Sequence, residues 1–87
     1  MRIEFHEIAW TDYLDWQQTN KAILKRINLL IKDIQRSPFE GIGKPEPLRH
    51  DLSGSWSRRI DEVNRLVYIV ENGVLTIVQC RGHYGPH

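Results

Sequence analysis

The most unusual segment of this sequence is GIGKPEPLRH, at residues 41–50, because it places one acid between two prolines. The acid is Glu46, and the cations Lys44 and Arg49 lie close on either side of it. A loop between two elements ordinarily needs only a few turn residues, so a stiffened loop of this length is either functional or a linker. The spacing suggests that the loop holds a carboxylate for chemistry.

One carboxylate, one imidazole and several guanidinium groups would suffice to cleave RNA without a metal ion. A base must take the proton of the 2′-hydroxyl, cations must stabilise the phosphorane, and an acid must protonate the departing 5′-oxygen. Glu46, His83 and one or more of the arginines are candidates for these roles. After Gly41 every cation except Lys44 is an arginine, and an arginine fork matches two phosphate oxygens at once.

Simpler interpretations of the same residues stay open. Glu46 could be an ordinary surface charge, and His83 an exposed residue near the terminus. The arginines could belong to a solvated sheet face, where acids such as Asp61, Glu62 and Glu71 would pair with them. Composition permits the nuclease chemistry but does not demonstrate it.

Neither a metal site nor a reactive thiol is expected. His83 and His87 are separated by Gly85-Pro86, and no third ligand is evident, whereas three or four ligands are the norm for zinc. Cys80 and His83 could supply a thiol nucleophile and its base, but Cys80 lies in an apolar segment. A packing role and a reducing compartment are therefore favoured for this single cysteine.

The sequence has 87 residues, of which 40% are hydrophobic and 26% are charged. This composition is typical of one small globular domain, which would cover the whole chain. The net charge of +1 does not by itself indicate a nucleic-acid partner. No apolar stretch predicts a membrane span or a signal peptide, so we expect a cytoplasmic protein without a membrane partner. A core this small favours a homodimer, and Trp10 and Trp16 are candidates for its interface.

The pattern along the chain predicts an α+β fold. Residues 2–5 alternate like a strand, a helix begins near Glu7, and Asn20 is a suitable N-cap for a second helix that ends near Ser37-Pro38. Three strand-like segments follow, at 55–61, 65–71 and 74 to about 83. We expect two N-terminal helices packed on one face of a twisted, mainly antiparallel sheet, which leaves the other face for function.

Asn72-Gly73 predicts a tight hairpin turn and therefore a register. The predicted cross-strand pairs are Glu71 with Val74, Ile69 with Thr76, Val67 with Val78, and Arg65 with Cys80. Strict alternation would then place Arg65 and His83 on opposite faces. We expect a bulge, or the end of regular pairing, at Gly82, which would redirect His83 toward Arg65 and Glu46.

Several strings closely resemble the YoeB toxins, a branch of the RelE/ParE superfamily of bacterial toxin–antitoxin systems: DYLDWQ, INLLIKDIQRSPFEGIGKPEPLRHDLSGSWSRRI, NRLVYIV and CRGHY. The resemblance runs from about residue 2 to Tyr84. It implies a RelE-like, microbial ribonuclease-like fold and a cofactor-free, ribosome-dependent mRNA endonuclease that cleaves in the ribosomal A site. It also implies a homodimer whose partners are a YefM-type antitoxin, the 70S ribosome and mRNA, with operator DNA bound only through the antitoxin complex.

The resemblance also assigns roles to individual residues. It makes Glu46 in KPEP the general base, His83 in GHY the general acid, and Arg65 in NRLVY the cation that stabilises the scissile phosphate. Arg59 in SRRI and Tyr84 would position the substrate or take part in catalysis. The expected phosphate-binding cations are Lys44, Arg49, Arg58 and Arg81.

This sequence departs from the family pattern at three places. Arg49 replaces the more usual lysine, Gly82 replaces a common aromatic residue, and the chain continues past Tyr84. A rival hypothesis is a non-catalytic member of the superfamily, either a gyrase poison or a repressor component that acts through its antitoxin complex. A pure binder does not require the combination of Glu46, Arg65 and His83, so this set favours the nuclease.

Overall fold

The structure is a computed structural model that describes residues 1–83, and it confirms the predicted α+β fold. Its elements are β1 (Arg2–Phe5), α1 (Glu7–Thr19), α2 (Lys21–Arg36), β2 (Glu46–Pro47), a short 3₁₀ helix (His50–Leu52), β3 (Trp56–Arg59), β4 (Arg65–Glu71) and β5 (Val74–Gln79). Among these, neither helix is both long and apolar enough to cross a lipid bilayer.

The five strands form one sheet in the order β1-β5-β4-β3-β2. The β3–β4 and β4–β5 pairs are antiparallel, as predicted. The β2–β3 pair is also antiparallel, although residues 46–47 were predicted as a loop, and β1 pairs with β5 in parallel. The chain leaves β1 through both helices and returns to the same sheet at the edge opposite β1. Local sequence patterns do not reveal that β1 takes β5 as its partner.

The helix boundaries follow from local chemistry. Asn20 caps α2 as predicted, since its Oδ1 accepts a hydrogen bond from the backbone N–H of Ile23 at 3.1 Å. The apolar face of α2, which includes Ile27, Leu30 and Ile34, is fully buried against the sheet. Burial of this face, more than helix propensity, stabilises a helix of this length.

The two faces of the sheet differ in composition. Leu66, Tyr68, Leu75 and Ile77 lie on the face toward the helices, and all four are fully buried in the core. Because side chains alternate along a strand, their sequence neighbours lie on the opposite face, which we call the open face. The predicted separation of a core face from a face free of helices is therefore confirmed.

The register between β4 and β5 follows the prediction only near the hairpin turn. Glu71 pairs with Val74 and Ile69 with Thr76, and both turn residues have positive φ, 52° at Asn72 and 74° at Gly73.

Farther from the turn the predicted register is wrong. Tyr68 pairs with Ile77 but Val67 pairs with Gln79, so Val78 is an extra residue in a β-bulge. The predicted pairs Val67 with Val78 and Arg65 with Cys80 are therefore absent. The bulge lies at Val78 and not at Gly82, and β5 ends at Gln79.

Candidate active site

The open face carries a row of side chains that spans four strands. Glu46 on β2 is the partner of Ser57 on β3, Ser57 is the partner of Val67 on β4, and Val67 is the partner of Gln79 on β5. Cross-strand partners share a face, so all four side chains lie on the open face. The carboxylate of Glu46 is thus placed on the side of the sheet that the helices leave uncovered.

Two guanidinium groups lie next to this row on the same face. Arg59 on β3 pairs directly with Arg65 on β4, two residues along each strand from Ser57 and Val67. The backbone N–H of Arg65 also donates a 3.0 Å hydrogen bond to the carbonyl of Gly82, the residue before His83. The structure therefore gathers Glu46, Arg59 and Arg65 on one face and brings the backbone that carries His83 to Arg65.

The segment around Glu46 is fixed by hydrogen bonds on both sides as well as by its prolines. The backbone N–H of Arg59 donates to the carbonyl of Gly43 at 2.6 Å, and the N–H of Leu48 donates to the carbonyl of Ser55 at 2.9 Å. β2 is an edge strand, where the missing N–H of Pro47 is tolerated. The predicted loop is thus a two-residue strand that presents the exposed Glu46 at the sheet edge.

Arg58 does not belong to this site, and its assignment as a phosphate-binding residue is wrong. Its side chain is fully buried, so a phosphate has no surface to contact. Nη1 donates to Oδ2 of Asp33 at 2.5 Å, and Nε donates to the hydroxyl of Tyr68 at 3.2 Å. The remaining donors go to three backbone carbonyls, those of Ser37, Glu40 and Ile42.

The buried Arg58 therefore ties the segment between α2 and β2 to the sheet. Asp33 completes this tie, because its Oδ2 also accepts a 3.0 Å hydrogen bond from the backbone N–H of Ile42. That backbone hydrogen bond first, and then the one from Arg58, hold the pKa of Asp33 below its ordinary value. Gly41, at φ 129°, allows the close approach, since a Cβ at this position would overlap Oδ2 of Asp33.

Sequence reasoning missed this role although a signal was present. Arg58 and Arg59 are neighbours on one strand, so only one of them can lie on the open face. Asp33 interrupts the otherwise apolar buried face of α2, and a buried carboxylate requires a partner. Read together, the two observations predict an internal ion pair between α2 and β3.

Arg65 is held by backbone carbonyls. Its Nη1 donates to the carbonyl of Asp61 at 2.8 Å and to that of Asn64 at 3.2 Å. The Asp61 carboxylate is itself occupied by the backbone N–H groups of Val63 and Asn64, at 2.8 and 2.6 Å. Neutral carbonyls fix the direction of the guanidinium without neutralising its charge, which is compatible with the phosphate-stabilising role predicted for Arg65.

The turn that follows Asp61 stabilises the negative charge of its carboxylate. Burial raises its pKa, but hydrogen bonds from the backbone N–H groups of Asn64 and Val63, then the Asn64 side chain and the charge of Arg65, outweigh burial and hold the pKa below its usual value. The simpler interpretation was that an acid pairs with Arg65. Asp61 is the acid that lies nearby, but its carboxylate mainly accepts hydrogen bonds within the turn.

Arg81 lies toward α1. It forms ion pairs with Asp12 at 3.3 Å and Asp15 at 2.5 Å, and its guanidinium lies 4.2 Å from the ring centre of Trp16. The hydrogen bond to Asp15 is the main cause of its raised pKa. A phosphate would have to compete with two carboxylates for this half-buried side chain, so the contacts of Arg81 do not favour the phosphate-binding role predicted for it.

The other predicted residues are distributed as follows. Lys44 and Arg49 are exposed and flank β2, and His83 is exposed at the end of the described chain. Tyr84 and His87 lie outside the described residues. Residues 1–83 hold no cluster of three His, Cys, Asp or Glu side chains that could bind a metal ion.

Cys80 has the packing role that its apolar surroundings predicted. It is fully buried, it is not in a disulfide, and its Sγ contacts the carbonyl of Ala9 at 3.4 Å. Burial raises the pKa of this thiol to about 12. A nucleophilic thiolate paired with His83 is therefore excluded, because the thiol stays protonated at neutral pH.

Comparison with known proteins gives one consistent family. Residues 5–84 match the model of the YoeB-like toxin of bacterial type II toxin–antitoxin systems. The toxin YoeB of Escherichia coli K12 is 60% identical over 84 residues, which cover 97% of this chain and 100% of that protein. A YoeB/ParE toxin from Agrobacterium tumefaciens has the same fold, with a TM-score of 0.94 and 44% identity over 97% of this chain and 100% of that one.

Two solved structures from Staphylococcus aureus are also similar. A YoeB–YefM complex matches with a TM-score of 0.90 and 46% identity, and a YoeB dimer matches with a TM-score of 0.91 and 45% identity. Each match covers 97% of this chain and 98% of the solved one.

Proposed function

Because this chain belongs to the family of YoeB-like toxins of bacterial type II toxin–antitoxin systems, we propose that it is a ribosome-dependent mRNA endonuclease. In this proposal it cleaves mRNA in the ribosomal A site and thereby inhibits translation. The observation that carries the proposal is the shared open face of Glu46, Arg59 and Arg65, with Gly82, the residue before His83, hydrogen-bonded to the backbone of Arg65.

The proposed reaction is an in-line transfer to the neighbouring 2′-hydroxyl. Glu46 takes the proton of that hydroxyl, whose oxygen attacks the phosphorus, and His83 gives a proton to the departing 5′-oxygen. Arg65 and Arg59 stabilise the additional negative charge of the phosphorane. The products are a 2′,3′-cyclic phosphate, or the 3′-phosphate formed from it, and a 5′-hydroxyl. This scheme uses side chains alone and assigns no step to a metal or a cofactor.

The remaining site residues would serve binding. Lys44 and Arg49 flank β2 and would contact neighbouring phosphates, and Tyr84 would position the substrate or assist the reaction. The described part of the chain has no RNA-recognition module, so the ribosome would present the message in a cleavable geometry.

Partners follow from the relatives. We infer that a YefM-type antitoxin holds this toxin inactive, that the toxin forms a homodimer, and that it reaches operator DNA only through the antitoxin complex. The proposed place of action is the cytoplasm, where ribosomes translate mRNA.

The test is cleavage of ribosome-bound message. Purified protein is added to a translating extract, cut positions are mapped by primer extension, and single-turnover rates are measured for the wild type, Glu46→Gln and His83→Ala. Loss of an acid or base group should lower the rate by about 10²- to 10⁴-fold. Glu4→Gln is the matched control, because Glu4 is an exposed acid at the far edge of the sheet.

Two outcomes would contradict the proposal. Near wild-type cleavage by a folded Glu46→Gln or His83→Ala variant would remove that residue from its role. Intact message together with trapped gyrase–DNA breaks would instead favour the non-catalytic rival.

A further inference from the structure

We propose that Gln79 and Asn64 are positioning residues that hold the backbone of His83 in its place beside Arg65. This inference rests on the proposed function, in which His83 is the general acid. It concerns two polar residues to which neither the motifs nor the family resemblance assigned a role.

The β-bulge places Gln79 where it can act. Leu75 and Ile77 are buried in the core, so uninterrupted alternation would also direct Gln79 toward the helices. The extra residue Val78 shifts the register, and Gln79 becomes the partner of Val67 on the open face. A long polar side chain is thereby moved from the core to the candidate active site.

The carboxamide of Gln79 binds the three residues that end the described chain. Its Nε2 donates to the carbonyls of Arg81 at 2.9 Å, Gly82 at 3.1 Å and His83 at 2.8 Å. Carbonyl oxygens only accept hydrogen bonds, so the NH₂ group, and not the amide oxygen, must face them. The two N–H groups of the amide are shared among three carbonyl acceptors. These hydrogen bonds hold the three carbonyls around one nitrogen and so keep the backbone of this short turn curved.

Asn64 holds the same turn from the other side. Its Oδ1 accepts a 2.7 Å hydrogen bond from the backbone N–H of Gly82, and its Nδ2 donates to both carboxylate oxygens of Asp61 at 3.2 Å. The carbonyl of Gly82 also accepts from the N–H of Arg65. Both polar backbone groups of the residue before His83 are therefore bonded to residues of the site.

Fixing this turn has a direct kinetic consequence. Gly82 has a φ of 75°, and glycine loses more backbone freedom than other residues when it is ordered. Without the bonds from Gln79 and Asn64, the residue before His83 would sample other conformations, and the imidazole would be misplaced. A misplacement of about 1 Å can lower a rate by roughly 10²-fold.

The main test uses Gln79→Met, which keeps the length of the side chain but removes its donors. We expect roughly a 10- to 100-fold lower single-turnover cleavage rate with unchanged ribosome affinity. In a His83→Ala background the same substitution should cost less than about 2-fold, because there is no longer an imidazole to position. Thr76→Val, on the same strand and face but beside Ile69, is the matched control and should cleave at the wild-type rate.

A second measurement does not depend on cleavage. The ¹⁵N order parameter of the His83 amide should fall from about 0.85, typical of rigid backbone, to below about 0.6 in Gln79→Met and Gln79→Glu. If wild-type protein fails to cleave but the order parameter falls as expected, the proposed function is wrong and the positioning is right.

The positioning inference is overturned by either of two results. One is an unchanged order parameter of His83 in folded Gln79 variants. The other is an equal loss of rate in the wild-type and His83→Ala backgrounds, because a merely structural role would cost the same in both.

Discussion

Arg59 and Arg65 face each other directly on neighbouring strands of the open face. Like charges at directly opposite positions destabilise a sheet, so this pair costs folding free energy. The cost is offset when an anion lies between the two guanidinium groups. This pairing therefore agrees with the phosphate site that we propose.

The first prediction separates the stability of Arg59 from its function. Arg59→Gln should leave the melting temperature unchanged or raise it, because the substitution relieves repulsion with Arg65, while it lowers the rate of mRNA cleavage. Calorimetry and single-turnover cleavage on one preparation test both parts. Arg2→Gln, an exposed cation at the far edge of the sheet, should change neither property.

The second prediction separates charge from geometry at Arg65. Lysine keeps the charge but offers no planar fork, and it cannot bind the two carbonyls and a phosphate in the same way. Arg65→Lys should lose a large part of the cleavage rate and Arg65→Ala more, while both bind ribosomes nearly normally because other cations supply non-specific attraction. Unchanged cleavage by Arg65→Lys would rule out two-point contact.

The alternative for Arg65 is a purely structural role. In that case both Arg65 variants would melt at lower temperature and would lose ribosome binding together with activity. Melting temperature, ribosome affinity and cleavage rate therefore have to be measured on the same samples.

Features that depend on neighbouring residues were predicted correctly from the sequence, whereas features that depend on contacts between distant segments were not. The Asn20 cap and the Asn72-Gly73 turn are fixed by neighbouring residues, and both were predicted correctly. The parallel pairing of β1 with β5 and the bulge at Val78 depend on packing between distant segments. No glycine or proline marks Val78, so the register beyond Tyr68 could not be predicted.

The site was predicted in the same uneven way. Glu46 and Arg65 belong to recognisable motifs, and the structure places both on the open face. Arg58 was assigned to phosphate by its charge, whereas its burial and its partner Asp33 are set by the tertiary fold. Gln79 was overlooked because its face is decided by the bulge.

The third prediction concerns the buried Arg58. Arg58→Met should lower the melting temperature by about 10 °C or more, because it removes the buried cation that pairs with Asp33 and leaves three backbone carbonyls without their donor. Arg59→Met, at the neighbouring exposed position, is the matched control and should change the melting temperature little. A well-folded Arg58→Met protein that binds ribosomes weakly would restore a phosphate role for Arg58.

The fourth prediction concerns dimer formation through α1. Trp10 is 45% exposed although it packs on Phe5 and Tyr13. The ring of Trp16, by contrast, is covered by the guanidinium group of Arg81 from the same chain. The dimer interface proposed for α1 should therefore depend on Trp10. Trp10→Glu should sediment as a monomer, because a carboxylate in an apolar interface is costly to desolvate.

Val63→Glu provides the control for this experiment. Val63 is 60% exposed in the turn between β3 and β4, so an acid there adds the same charge away from α1. This variant should remain a dimer. A wild-type protein that stays monomeric at high micromolar concentration would contradict the dimer itself.

The last prediction follows from the lowered pKa of Asp33. A carboxyl group whose pKa is lower in the folded protein binds fewer protons there than in the unfolded chain, so it stabilises the fold when it is ionised. This contribution is complete above the ordinary pKa of 3.8 and is lost as the pH falls from 3.8 through the lowered value. Asp33→Asn should therefore be less stable than the wild type at pH 7, and the difference should shrink below pH 3.8. Urea unfolding of both proteins between pH 7 and pH 2 measures it. A difference that stays constant down to pH 2 would show that the cost does not come from losing the ionised carboxylate that Ile42 and Arg58 bind.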